Sequence, residues 1–172
     1  MVSFRSSFRP RAAEERVQTS FRVVVPVSGG SVDNRLLESL RKMCFRRAYE
    51  ITLVYVVEVE QSMPLDAELP DEVNRGEAVL RAAAEIARAD LDPQNGQVYT
   101  ELLQARSAGA AIVDEATDKN ADVIMIGATL RRQFGRLTLG ETVDFVLKHA
   151  PCEVILIRQA LPNWITDTME WS

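Results

Sequence analysis

Between Gly127 and Gly140 the chain carries three arginines, Arg131, Arg132 and Arg136, and no acid. A short apolar run, Val123 to Ile126, leads into Gly127, and Gly140 opens a predicted helix that ends near His149-Ala150-Pro151. A second apolar run, Val154 to Ile157, closes the unit. Strand, glycine, basic loop, glycine and helix start are the ingredients of an anion cradle, because free backbone N–H groups and the helix dipole attract phosphate. Glu141 opposes that reading by placing a carboxylate at the cradle's centre, although the same charge favours the first turn of a helix. A second glycine turn, Ser28-Gly29-Gly30-Ser31, stands near the start of the chain.

Covalent and metal chemistry find little support in the residues. No GxSxG, HExxH, CxxC or Walker A pattern occurs. His149, the single histidine, falls in the last turn of a predicted helix, where as a cation it complements the dipole. Cys44 and Cys152 lie far apart, each among apolar residues, and read as reduced, buried thiols of a cytoplasmic protein rather than a disulfide or a metal pair.

The 172 residues suit one domain with a core of its own. Apolar residues make up 47%, the longest apolar runs are strand-sized, and the first twenty residues lack the apolar stretch of a secretory signal. A net charge of −5 argues against nucleic acid as a partner. The charge is uneven: from Glu58 to Glu77 seven acids face one base, Arg75, as in a solvated loop that leads into a helix.

The elements that must position these residues follow from periodicity. Residues 1–20 form a basic arm, with Arg5, Arg9, Arg11 and Arg16 around Phe4 and Phe8, expected to be flexible or to face an acidic partner or membrane surface. FRVVVPV from Phe21 is a near-continuous apolar run, expected of a strand buried on both faces of a parallel sheet. After the SGGS turn a helix is predicted from about Val32 to Tyr49, then a strand from Ile51 to Val57. An alanine-rich helix over about 71–89 ends at Asp92-Pro93 and Asn95-Gly96, and a strand follows from Gln97. Ser107 is placed to cap a helix from about Ala108 to Lys119. With the final strand, helix and strand, the order is β-α-β-α-β-α-β-α-β. Right-handed crossovers make this a doubly wound, Rossmann-like α/β domain over residues 21–159, its five parallel strands in the order 3-2-1-4-5. Residues 160–172 form a C-terminal tail bearing Trp164 and Trp171, expected to fold back on the domain or on a partner. In such a sheet ligands bind where the winding reverses, between strands one and four. Both glycine turns meet there.

From Phe21 to Arg158 the chain resembles the universal stress protein family. The resemblance rests on VVVPVSGGS, on Ala121-Asp122 before VIMIG, and above all on GETVDFVLKHAPCEVILIR. TVDFVLKHAPC is also similar to the stress-protein domains attached to the cytoplasmic end of amino-acid permeases. The family's nucleotide binders carry Gly-x2-Gly-x9-Gly-(Ser/Thr) after the fourth strand. Gly127 and Gly140 fall on the first and third glycines, Leu130 on the second, and Glu141 on the hydroxyl residue. The family's acidic residue at the end of strand one falls on Ser28. The resemblance further implies that Pro26 and Val56 line an adenine slot and that Ile126 and Thr142 flank the phosphate loop. By their own chemistry Arg131, Arg132 and Arg136 are available as phosphate clamps. The resemblance also implies a homodimer formed through the last strand, at Glu153, Val154, Ile155, Leu156 and Ile157.

Three readings follow. The first is a regulatory domain, not an enzyme, with a degenerate crevice for ATP, AMP or a cyclic adenine nucleotide and no other expected cofactor or metal. It is cytoplasmic, either free or tethered to the inner face of the membrane through a transporter that it regulates. The second is a dimerisation module that binds no nucleotide. The third, an ATP-pyrophosphatase-type enzyme, rests on an echo of that class's SGGxDS loop in Ser28-Gly29-Gly30; here Asp33 comes one residue late, and Asn34 stands where the hydroxyl is needed.

Overall fold

The computed structural model describes residues 20–159 except 46, 90, 134 and 135, and at 131–136 its backbone pairing alone. The predicted arm, apart from Ser20, and the predicted tail with Trp164 and Trp171 lie outside the described residues. The elements run β1 (Phe21–Pro26), α1 (Ser31–Cys44), β2 (Tyr49–Glu58), α2 (Pro70–Arg88), β3 (Gly96–Ala105), α3 (Ala108–Asp118), β4 (Val123–Ala128), β5 (Arg131–Gln133), β6 (Arg136–Thr138), α4 (Glu141–His149) and β7 (Glu153–Arg158). Five of the strands form one parallel sheet in the order β3-β2-β1-β4-β7. This is the predicted order; the last strand is seventh in the chain only because β5 and β6 add a hairpin.

Alternation along the strands divides the core into two layers. Val23 and Val25 of β1 face one side, with Ile51, Leu53 and Met125, and meet Leu36, Leu37 and Leu40 of α1 and the alanines of α2. Val24 faces the other, with Val54, Ile124 and Ile126, and meets Ile112 and Ala116 of α3 and Val143 and Val146 of α4. The three central valines of β1 are at most 1% exposed, as expected of a strand covered on both faces. Two small-residue contacts bring the helices close. Gly109 of α3 lies under Phe145 of α4, and Gly76 of α2 lies against the Tyr55 ring, in both cases where a Cβ would collide.

Two local interactions set the ends of elements. The Ser107 hydroxyl accepts the Ala110 amide at 3.3 Å and caps α3, as predicted. At the amino-terminal edge of the sheet, Arg22 N donates to Asp122 Oδ2 at 2.8 Å while Asp122 N donates to Arg22 O at 2.9 Å, tying β1 to β4.

Three expectations are corrected. Helix α1 stops at Cys44, not near Tyr49: Tyr49 begins β2, opposite Phe21 and Gly96, and its N–H donates to Asn95 O at 3.0 Å. Strand pairing on both sides outweighs the helical periodicity that continues past Cys44. The segment after β4 is not a loop but an antiparallel hairpin, Arg131 pairing with Thr138 and Gln133 with Arg136. The acidic stretch is a largely exposed loop that leads into a helix, as expected. Glu58 ends β2, α2 begins at Pro70, and the turn between them is held by the Arg106 guanidinium, which donates to the carbonyls of Val59, Glu60 and Met63, and by Gln104, which donates to Ala67 O. Of the two thiols, Cys44 is buried as expected but Cys152 is only half-buried.

Candidate functional site

At the carboxyl ends of β1, β2 and β4 the sheet opens into a crevice of about 350 Å³, closed on the helical side by the amino-terminal turns of α1, α3 and α4. The position follows from topology: β1 leads to α1 on one face of the sheet and β4 leads towards α4 on the other, so their ends part and leave a gap. Eight predicted residues border it: Pro26, Ser28, Val56, Ile126, Gly127, Gly140, Glu141 and Thr142. Leu130 does not border it, and the side chains of Arg131 and Arg132 lie outside the described residues. Glu153 to Ile157 stand elsewhere, along β7, the edge strand of the sheet among the described residues.

The glycines have different physical tasks. Gly127 is small by necessity, since a Cβ there would sit 2.8 Å from Val32 Cγ1 at the start of α1. Gly140 has φ 94° and ψ 159°, a conformation that L side chains rarely adopt, yet a Cβ there would meet nothing within 4 Å. Its N–H donates to the Thr138 hydroxyl at 3.1 Å. As the residue before α4 it offers no side-chain cap, so the first-turn amides of that helix are left to the crevice.

The residue that sequence reasoning missed is Asp33. Its carboxylate, 7% exposed, accepts the amide of Ser28 at 2.9 Å and that of Gly29 at 2.7 Å, and it borders the crevice. Burial pushes this carboxyl above its ordinary value, against the turn amides of Ser28, Gly29 and Gly30, which pull it down. A signal was present in the sequence: Asp33, Leu37, Leu40 and Cys44 share one stripe of α1, so a charged residue sat on an apolar face. Tyr55, Thr129 and Leu139 also border the crevice and were not anticipated.

The crevice therefore combines aliphatic walls with hydroxyls from Ser28, Tyr55, Thr129 and Thr142 and carboxylates from Asp33 and Glu141. No lysine, arginine, histidine or cysteine borders it among the described residues. His149 is remote from it, at the far end of α4, with Nδ1 2.9 Å from Phe145 O and its ring stacked on Phe145. Among the described residues no cluster of three or more His, Cys, Asp or Glu is arranged to hold a metal, and no helix is long and apolar enough to cross a membrane.

The same fold occurs in known proteins. The chain is similar to a universal stress protein of Methanocaldococcus jannaschii, 26% identical over an alignment of 144 residues that covers 80% of this chain and 82% of that one, gaps aside. A solved universal stress protein from Archaeoglobus fulgidus superposes with a TM-score of 0.65 at 21% identity, covering 81% of this chain and 99% of that chain. The universal stress protein from Archaeoglobus fulgidus in complex with dAMP gives 0.61 at 20% identity, over 80% of this chain and 97% of that chain. At such identities these structures speak for the fold. The family itself is carried by the sequence: the profile of the Universal stress protein family matches residues 20–158, and the chain belongs to that family.

Proposed function

We propose that the domain is a regulatory, non-enzymatic module whose switch-point crevice takes an adenine nucleoside or nucleotide and couples occupancy to association through the β7 edge. The observation that carries this reading is the crevice itself, where the ends of β1 and β4 and the uncapped start of α4 meet around a space of about 350 Å³. That volume is at the small end of ligand pockets, about 300–1,000 Å³, and suits one base and sugar better than a triphosphate. A fold relative from Archaeoglobus fulgidus was solved with dAMP, which supports the adenine class. The hydroxyls and carboxylates of the lining supply hydrogen bonds to a ligand, which supports binding.

Association is supported by β7, a six-residue strand at the edge of the sheet with one ladder unpaired among the described residues and four half-buried aliphatic side chains, Val154 to Ile157. Pairing with a two-fold mate hides such an edge. The likeness of Thr142–Cys152 to permease-attached domains makes a membrane transporter the partner class to try first. A thermal-shift series with ATP, AMP, cyclic AMP and adenosine, with and without Mg²⁺, tests the ligand class. A saturable rise in the midpoint with any of them is the expected result. Sedimentation velocity of the same mixtures reads the coupling: the dimer fraction changes at ligand saturation. A flat response to every adenine compound at millimolar concentration removes the ligand and leaves the edge strand as the functional surface.

A further inference from the structure

We infer that this crevice selects the nucleoside over its phosphates, with Asp33 as the ligand's hydrogen-bond acceptor and Glu141 as the group that turns phosphate away. The inference rests on the adenine reading above and names the ligand's charge state, which that reading leaves open.

Two carboxylates border one small cavity and no cationic side chain borders it among the described residues. They sit on different elements. Asp33 belongs to the first turn of α1 and is fixed: it is buried, and the amides of Ser28 and Gly29 hold its Oδ2 at the end of β1. Ser28, at the end of β1 itself, has no charge to offer, so the carboxylate there is supplied from five residues further on. It can receive an N–H or O–H from a ligand, which an exocyclic amine or a ribose diol provides and a phosphate at neutral pH does not. Glu141 belongs to the first turn of α4, where the uncapped amides would otherwise attract an anion. Glu141 is exposed and belongs to that same first turn, where a carboxylate favours the helix dipole and repels a second negative charge. A neutral ligand with donors meets acceptors from both elements; a phosphorylated one gains the same contacts at Asp33 and loses at Glu141.

Isothermal titration of the full chain with adenosine and with AMP tests this. The expected result is adenosine binding at least tenfold more tightly than AMP. Glu141→Ser should bring the two affinities to within about threefold by strengthening AMP alone, and Asp33→Asn should weaken adenosine about tenfold or more. Circular dichroism shows whether Asp33→Asn still folds; Glu141→Ser, at an exposed position, keeps the test open if it does not. AMP binding as tightly as adenosine, or an unchanged ratio in Glu141→Ser, overturns the inference and leaves the adenine reading standing. Failure of both ligands to bind overturns the two together.

Discussion

The Asp33 carboxylate accepts the amide N–H of Ser28 at 2.9 Å, so the first turn of α1 folds back on the turn that introduces it. With the second bond, from Gly29 at 2.7 Å, one buried side chain organises the turn in the way an N-cap organises a helix start. It also puts a negative charge where β1 ends without one of its own.

That arrangement predicts a pH dependence. Burial raises the Asp33 carboxyl above its ordinary value, and the amides of the turn reduce but do not cancel the rise. Between the ordinary carboxylate range and the raised native value, the folded chain holds more protons than the unfolded one, so stability contributed by Asp33 falls as pH rises through that window. Asp33→Asn removes the titration while keeping an acceptor for the turn. In denaturant unfolding, the wild type should gain on Asp33→Asn as pH is lowered from about 7 to about 4. A difference that stays constant, or grows in the opposite direction, contradicts the assignment. Asp33→Ala, which leaves both amides without their partner, should cost about 1–3 kcal/mol at neutral pH.

Gly127 and Val32 make a second prediction. A Cβ at Gly127 would lie 2.8 Å from Val32 Cγ1, and valine, branched at Cβ, has little freedom to turn away. Gly127→Ala should therefore destabilise by about 1–3 kcal/mol as an overpacked site. Val32→Ala in the same chain removes the obstructing methyls. The double variant should recover part of that loss, giving a coupling energy of about 0.5 kcal/mol or more in a double-mutant cycle. Additive effects would mean that the two residues do not collide.

The sequence makes some of this architecture plain and conceals the rest for identifiable reasons. The sheet order was legible because each strand is a short apolar run bounded by turn residues, and because crossover handedness leaves few topologies. Ser28, Gly127, Gly140 and Glu141 were legible because the topology fixes which strand ends meet and because the glycines mark close approach and unusual backbone; Pro26, Val56, Ile126 and Thr142 came from the resemblance to the universal stress protein family. Tyr49 was misplaced because residues after Cys44 continue a helical pattern, and only pairing with Phe21 and Gly96 decides the matter. The hairpin of β5 and β6 was hidden because three-residue strands that each begin with arginine carry no alternation long enough to read. Asp33 was overlooked through comparison with a different loop pattern, when its place on the apolar stripe of α1 already marked it.

Gly140 differs from Gly127 in a way that experiment can separate. Its constraint is conformational: φ is +94° and a Cβ would have open space around it. Gly140→Ala should cost about 1–3 kcal/mol through backbone strain, and truncating neighbouring side chains should restore none of it. The same substitution should loosen the start of α4, since the Gly140 amide is tied to Thr138 at 3.1 Å. Faster amide exchange in the first turn of α4 than in the first turn of α3, which keeps its Ser107 cap, would register that effect. Recovery of stability by trimming Thr142 or Leu139 would show a steric cause instead.

The two cysteines provide a probe of local opening that needs no ligand. Burial pushes the Cys44 thiol up to about 11, with Arg47 pulling weakly the other way, and the side chain is 1% exposed on the sheet-facing side of α1. At about pH 8 almost none of it is thiolate, and a thiol reagent cannot reach it without opening the end of α1. Cys152 is also raised, by burial before any other cause, but it is only half-buried between α4 and β7. Native protein should therefore release one equivalent of chromophore from an aromatic disulfide reagent well before the second. Cys152→Ser should abolish the fast phase and leave the slow one. Denaturant should accelerate the slow phase as the α1–β2 corner opens, bringing both thiols to one rate once the chain unfolds. Equal rates in the native protein would mean that the end of α1 is open in solution, and with it the packing of Cys44 against the sheet.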